Sequence, residues 1–404
     1  MFRAFLTAGI CSIFALVAVF GVRSRIWPFV EDINQRDQDF GDLNVLLHLA
    51  DFFQRNPLGD PNQVDWSEFG VTPNYPLILP RILGSFSIGL DDLLLVGTFL
   101  IALMAIAVSM IFFFATSGKP FPVVVITAVF AVLWSFSPPF MLAAERGNYD
   151  ILIFVILTIA ALVFHRFGWI SAGLVLVSAL FKLFPIAAAI GFLRLKRGWA
   201  LLLVPICGLA FYLLWSPGEL LNVNANTPRG TWVSFGALVL GGIADERLGT
   251  SLWGSILVTI AVHVCGFGLY LGSVMGPFRE DFQELLLGIR RSKLSQGLMM
   301  VGGPVLVLVY FLGNSFDYRL IFLTFPVAAI VAASNRWSNF VFLVMLVSLL
   351  VMYWSFPSNI ISPISDLLLI PLVALTLHVS FILLFERLGP CIKSLRFPTQ
   401  TRSS

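Results

Sequence analysis

The sequence predicts an all-α polytopic membrane protein, a single integral membrane domain over residues 1–404, and three observations carry the prediction. Apolar residues make up 58% of the chain and charged residues 12%, a balance outside the range of soluble domains of this length. Apolar runs of roughly 17–25 residues, the length an α-helix needs to cross a bilayer, recur from end to end. Basic residues gather in one set of connections and acidic residues in the other, the asymmetry that orients a multi-pass chain. The net charge of +3 is small and reflects that asymmetry, so no nucleic-acid partner is implied. Membrane lipids are the expected surroundings. Cys11, Cys207 and Cys265 lie inside apolar runs and Cys391 sits in the basic tail, a pattern that predicts neither disulfides nor zinc.

The first apolar run, 4–22, follows only Arg3 and has no small-residue cleavage site before Arg23, so it is expected to be an uncleaved signal anchor. A first external loop, 23–90, is rich in acids. Further spans are expected at 92–114, 122–136 and 151–164. The stretch 170–193 reads either as one span or as two half-length ones broken at Phe181-Lys182-Leu183-Phe184-Pro185. Only the broken reading puts Arg166, Arg194, Lys196, Arg197, Arg279, Arg290, Arg291, Lys293, Arg336 and the 386–404 tail together on the cytoplasmic side. Spans at 200–215, 252–274, 297–312, 320–333, 340–354 and 367–385 complete a count of about twelve segments, two of them half-length, with both termini cytoplasmic. The second external loop, 216–251, is expected to hold a short surface helix. His263 and His378, deep in their spans, are expected to bond helix to helix.

Within the first loop, 42–55 reads as an amphipathic surface helix. Asn44, His48, Asp51 and Arg55 follow i, i+4, i+7 and i+11 and so share one face. Leu43, Leu46, Leu47, Ala50 and Phe53 form the other, which suits a helix in the headgroup layer. Asp42 at its start has two readings. It is either an N-cap favoured by the helix dipole or a general base presented at the membrane surface. The prolines at 57, 61, 73, 76 and 80 make the following chain rigid, with Tyr75 and Arg81 as interface anchors or substrate contacts.

Polar clusters recur on the same expected face. Glu145, Arg146, Asn148 and Asp150 crowd into six residues between two apolar runs. Ionisable groups there are costly to desolvate, and they either tie two helices together or hold something polar. Lys182 sits at the break between half-spans, as a ligand for an anion or a snorkelling side chain. Asp317, Tyr318 and Arg319 form a turn between two later spans. Acids beside Arg and Lys suit an acceptor that must lose a proton and a phosphate leaving group that must be neutralised.

Several short motifs together resemble the GT-C superfamily of polyprenyl-phosphate-sugar-dependent glycosyltransferases, nearest to the glycosyltransferase family 87 type. They are Gly41-Asp42-Leu43-Asn44-Val45, Asn74-Tyr75-Pro76-Leu77, Arg146-Gly147-Asn148-Tyr149-Asp150 and Lys182-Leu183-Phe184-Pro185, while Asp317-Tyr318-Arg319-Leu320-Ile321-Phe322 resembles bacterial envelope-polysaccharide membrane proteins of unassigned activity. The resemblance implies an inverting hexosyltransferase, mannosyltransferase-like, in a bacterial inner (plasma) membrane, serving cell-envelope polysaccharide biosynthesis. Its donor would be a polyprenyl-phosphate-linked sugar and its acceptor a lipid or glycan. Asp42 occupies the place of the catalytic base, with Asp37, Asp39 and Asp51 as close competitors for that role. Arg146, Lys182 and Arg319 would meet the leaving phosphate, with or without a divalent metal (Mg2+ or Mn2+) on Glu145 or Asp150. Two other expectations stay open: a transporter or flippase of a lipid-linked or anionic solute, and an O-antigen polymerase or ligase.

Overall fold

The computed structural model describes residues 40–59, 76–216, 234–249, 251–312, 315–334, 338–355 and 362–394, and the described chain is almost entirely helical. The expected first span at 4–22, the acids Asp37 and Asp39, Tyr75 and the end of the basic tail lie outside those residues.

Helices α1 (Gly41–Arg55) and α2 (Ile78–Ser85) pack on each other ahead of a short 3-10 turn (Leu90–Asp92) and the long α3 (Leu93–Ala115). Next come α4 (Phe121–Ser135), α5 (Pro138–Arg146), α6 (Asp150–Val163) and α7 (Gly168–Phe181), then a 3-10 segment (Phe184–Arg194) and α8 (Gly198–Trp215). Strand β1 (Ser234–Phe235), α9 (Val239–Leu248), α10 (Leu252–Met275), α11 (Arg279–Arg291) and α12 (Lys293–Phe311) follow. The described chain closes with β2 (Ser315–Phe316), a 3-10 turn (Asp317–Leu323), α13 (Thr324–Ala333), α14 (Asn339–Trp354) and α15 (Ser362–Ser394).

Starts and stops follow local chemistry. Prolines that need no donor open α4 and α5. Serine hydroxyls cap α10, α12 and α14, as Ser251, Ser292 and Ser338 accept from the third backbone N–H onward at 3.3, 3.1 and 3.3 Å.

Among the described residues, five helices are long and apolar enough to cross a membrane: Leu90–Ala115, Gly198–Trp215, Leu252–Met275, Lys293–Phe311 and Pro363–Arg387. The bent pair α4–α5, turning by 48°, makes a sixth if counted as one broken span. Two segments expected as spans, 151–164 and 340–354, form short helices, and 170–193 forms the two half-length pieces of the broken reading. Helices α6, α7, α14 and the 3-10 segment 184–194 fall between 10 and 17 residues, below the length of a straight crossing. The stretch 170–193 does break where the apolar run is interrupted: α7 stops at Phe181, Lys182 is extended, and Pro185 opens the 3-10 segment.

The axis of the bundle is α12, with 72% of its apolar window buried, against 6% for the peripheral α10. Close approach explains the first figure. A Cβ at Gly297 would lie 2.3 Å from the Ala161 carbonyl oxygen of α6, so only glycine lets these two helices touch there. Helix α10 is held instead by polar pairs. His263 Nε2 meets Tyr310 OH at 2.7 Å and His378 Nδ1 meets Tyr270 OH at 2.7 Å, so both histidines join helices.

Helix α1 differs from a helix lying in headgroups. Leu43, Leu46, Leu47, Leu49 and Ala50 are fully enclosed by protein, because α2, α3 and α5 close over that face.

Candidate functional site

The ends of α1, α5, α6 and α7 converge at one end of the bundle, and glycines make the convergence possible. Helix α5 ends at Arg146 because Gly147 follows in the left-handed conformation (φ 57°) and turns the chain into α6. A Cβ at Gly147 would lie 2.9 Å from Leu43 Cβ and 3.0 Å from the Phe40 ring, so α1 seats against this glycine. Phe40, also left-handed (φ 55°), fills the space that a side chain at Gly97 of α3 would need. This wedge points the first turn of α1 at the α5–α6 turn.

Asp42 is therefore not an N-cap. Phe40 holds that position, no side chain caps α1, and the Asp42 carboxylate reaches across to α5. Arg146 Nε donates to Asp42 Oδ2 at 3.0 Å and Arg146 Nη2 to Oδ1, a two-pronged fork. Asn148 Nδ2 donates to the same Oδ2. Its other amide atom, Oδ1, accepts from the Asp150 backbone N–H at 2.8 Å and from Lys182 Nζ at 3.5 Å. Lys182 Nζ pairs with Asp150 Oδ1 at 2.6 Å, and Arg319 Nε with Asp150 Oδ2 at 3.2 Å. Asn148 thus links two ion pairs into one network.

Aromatic rings wall this network. Lys182 Nζ lies 4.0 Å from the Tyr149 ring centre and 6.0 Å from that of Tyr318, while the Arg319 guanidinium lies 5.3 Å from that of Phe184. Phe184 is fixed from below by Phe322, at 5.4 Å between ring centres. The β1–β2 ladder, pairing Ser234 with Phe316, brings Ser234 and Phe235 beside Asp317.

The charges are not equivalent. Burial works to raise the pKa of Asp42, but Arg146 and Asn148, with Lys182 farther off, outweigh it and hold the carboxyl below its ordinary value. Asp317 is buried, its Oδ2 has no hydrogen-bond partner among the described residues, and burial pushes its pKa well above the usual carboxylate range. Burial thus disfavours its charged form, and the carboxylates that meet cations in the cluster are those of Asp42 and Asp150.

Of the residues singled out in the sequence, the structure joins Asp42, Arg146, Asn148, Asp150, Lys182 and Arg319 directly, with Tyr318 at the wall. Glu145 lies within electrostatic reach of Arg146. Three others do not join the cluster. Asp51 Oδ2 accepts from the Leu90 N–H at 3.3 Å, at the start of the 3-10 turn before α3. Arg81 donates to the Pro57 carbonyl at 2.8 Å and lies 4.4 Å from the Phe53 ring centre. His48 stands half-buried farther along α1. Tyr149 and Phe184, which wall the cluster, lie inside the motifs 146–150 and 182–185 but carry no charge that would mark them in the sequence. Phe40 gave no sign of its wedge role, because only the two glycines of distant helices create it.

Both oxygens of Asp150 are taken by Lys182 and Arg319 and both of Asp42 by Arg146 and Asn148, and no group of three His, Cys, Asp or Glu forms among the described residues.

The class that fold and site define is a multi-pass helical membrane protein with a charged network at one end of the bundle. No protein-family model, curated protein or solved structure matches the chain.

Proposed function

We propose that the protein is a membrane glycosyltransferase of GT-C type, with about twelve membrane segments once its shorter helices are counted. It moves a sugar from a polyprenyl-phosphate donor to an envelope glycan or lipid acceptor at the periplasmic or outer face, with inversion. The observation that carries this reading is the meeting of three cations and two carboxylates from four separate parts of the chain: Asp42 and Arg146, Asp150 and Lys182, and Arg319. Such a network supports acid–base work beside an anionic leaving group.

In the reaction the acceptor hydroxyl gives its proton to Asp42 and its oxygen attacks the anomeric carbon opposite the phosphate. The bond from that carbon to the phosphate oxygen breaks, and the electron pair stays on the phosphate. Arg146, Lys182 and Arg319 meet the charge that develops there. No step uses a metal.

The test is a transfer assay with full-length protein in detergent and radiolabelled polyprenyl-phosphate sugars. Asp42→Ala is expected to lower turnover by about 10²–10⁴-fold, the usual contribution of a general base. Wild-type turnover in that variant removes Asp42 from the mechanism. A second reading, transport of an anionic solute, draws support from Lys182 at the break between two half-length helices. Solute counterflow into liposomes, without covalent change, would favour it.

A further inference from the structure

We propose that Arg146 is an exchangeable lock on Asp42: a donor phosphate takes the Arg146 fork, releasing Asp42 Oδ1 to act as the base while Asn148 holds Oδ2 in place. The proposal rests on the transferase reading and adds a gate to it.

Three features of the network point this way. As the chain stands, Arg146 and Asn148 fill three of the roughly four acceptor positions of the Asp42 carboxylate, so an acceptor hydroxyl meets oxygens already committed to a cation. The bonds are unequally shared, since Oδ1 is held by Arg146 alone and Oδ2 by both Arg146 and Asn148. Losing the arginine therefore frees one oxygen and leaves the other anchored. Finally, the two ion pairs differ in access. The Arg146 and Asp42 side chains are 35% and 20% exposed, whereas Lys182 and Asp150 are 9% and 0% exposed.

An arriving anion meets Arg146 first. The guanidinium fork fits two phosphate oxygens as well as it fits two carboxylate oxygens, so the exchange keeps its hydrogen bonds. Lys182 and Arg319, already committed to the enclosed Asp150, stay where they are. The exchange also removes the charge that most depresses the basicity of Asp42, so the base strengthens only when donor is present.

Carbodiimide labelling of Asp42, read by peptide mass spectrometry on full-length protein in detergent, tests the lock without needing turnover. Farnesyl phosphate and inorganic phosphate serve as probes, with binding of each followed by calorimetry. Labelling is expected to be slow in the free protein and to rise several-fold with farnesyl phosphate. A rise with inorganic phosphate too supports the lock with the phosphate group alone as its key, whereas a rise with the lipid form only supports one that needs the chain. Arg146→Gln should label fast without ligand and respond to neither probe, and Arg146→Lys, which keeps the charge but not the fork, should fall between. Unchanged labelling in wild-type protein saturated with farnesyl phosphate overturns the lock, whatever the variants do. Release of Asp42 without any sugar transfer keeps the lock and removes the transferase reading. Transfer with Asp42 still protected under saturating donor does the reverse.

Discussion

The two carboxylates of the cluster meet their cations in different settings. Asp150 is sealed at the base of α6, its oxygens divided between Lys182 at 2.6 Å and Arg319 at 3.2 Å, with rings on both sides. Asp42 lies at the rim, paired with an arginine that is about one-third exposed. Enclosure makes the first pair costly to disturb, because each partner left alone is a buried charge. Partial exposure makes the second cheap to open. The same bond is thus a strut in one place and a latch in the other.

The largest expected effect comes from breaking the strut. Asp150→Ala leaves Lys182 buried without its anion, at a cost of about 3–5 kcal/mol, and should lower the unfolding temperature in detergent markedly. Pairing it with Lys182→Met, which removes the stranded charge and keeps an apolar chain of similar length, should recover a large part of that loss. An Asp150→Ala protein that unfolds at the wild-type temperature would place Asp150 with Asp42 as a rim group and erase the contrast.

Acid sharpens the comparison from the other side. The folded pKa of Asp42 lies below its unfolded value, so the Asp42–Arg146 bond contributes its full stability above the unfolded pKa. That stability is lost as pH falls through the lowered folded value. Between neutral pH and about 5 the melting temperature should therefore carry no change from Asp42. Below the ordinary aspartate range it should drop by an increment that Asp42→Asn lacks. The absence of any such difference between wild type and Asp42→Asn would mean that Arg146 is not holding the carboxylate in solution.

How much of this was legible in the sequence differs between strut and latch. Arg146-Gly147-Asn148-Tyr149-Asp150 and Lys182 are marked by charge in apolar surroundings, and their cost in a membrane is what made them visible. Which acid met which cation was not legible, because Asp42 and Arg146 are far apart in sequence and nothing local pairs them. The N-cap reading of Asp42 failed for a related reason. Capping depends on backbone angles at Phe40, and those follow from the space left by Gly97 and Gly147 on other helices. The amphipathic face of α1 was read correctly as apolar, yet period alone does not say whether lipid or protein covers it. The number of crossings is the least legible feature. The break at Lys182 was visible from its charge and Pro185, but elsewhere hydropathy measures how long a run is without saying how long each helix is.

The smallest expected effect concerns a second acid on α1. Asp51 lies on the same helix as Asp42 and is as acidic by composition, but its carboxylate is spent on the Leu90 N–H at 3.3 Å. A Cβ at Gly89 would lie 1.8 Å from Asp51 Oδ1, so the glycine leaves room for that contact. The group caps the chain where it enters α3, and Asp51→Ala should cost about 1 kcal/mol, as the loss of a helix cap does. Sugar transfer and the phosphate response of Asp42 should both persist in that variant, measured at a temperature where it is fully folded. Loss of transfer with the fold intact would move the base from Asp42 to Asp51, and the half-buried Asp42–Arg146 pair would then be a structural tie between α1 and α5.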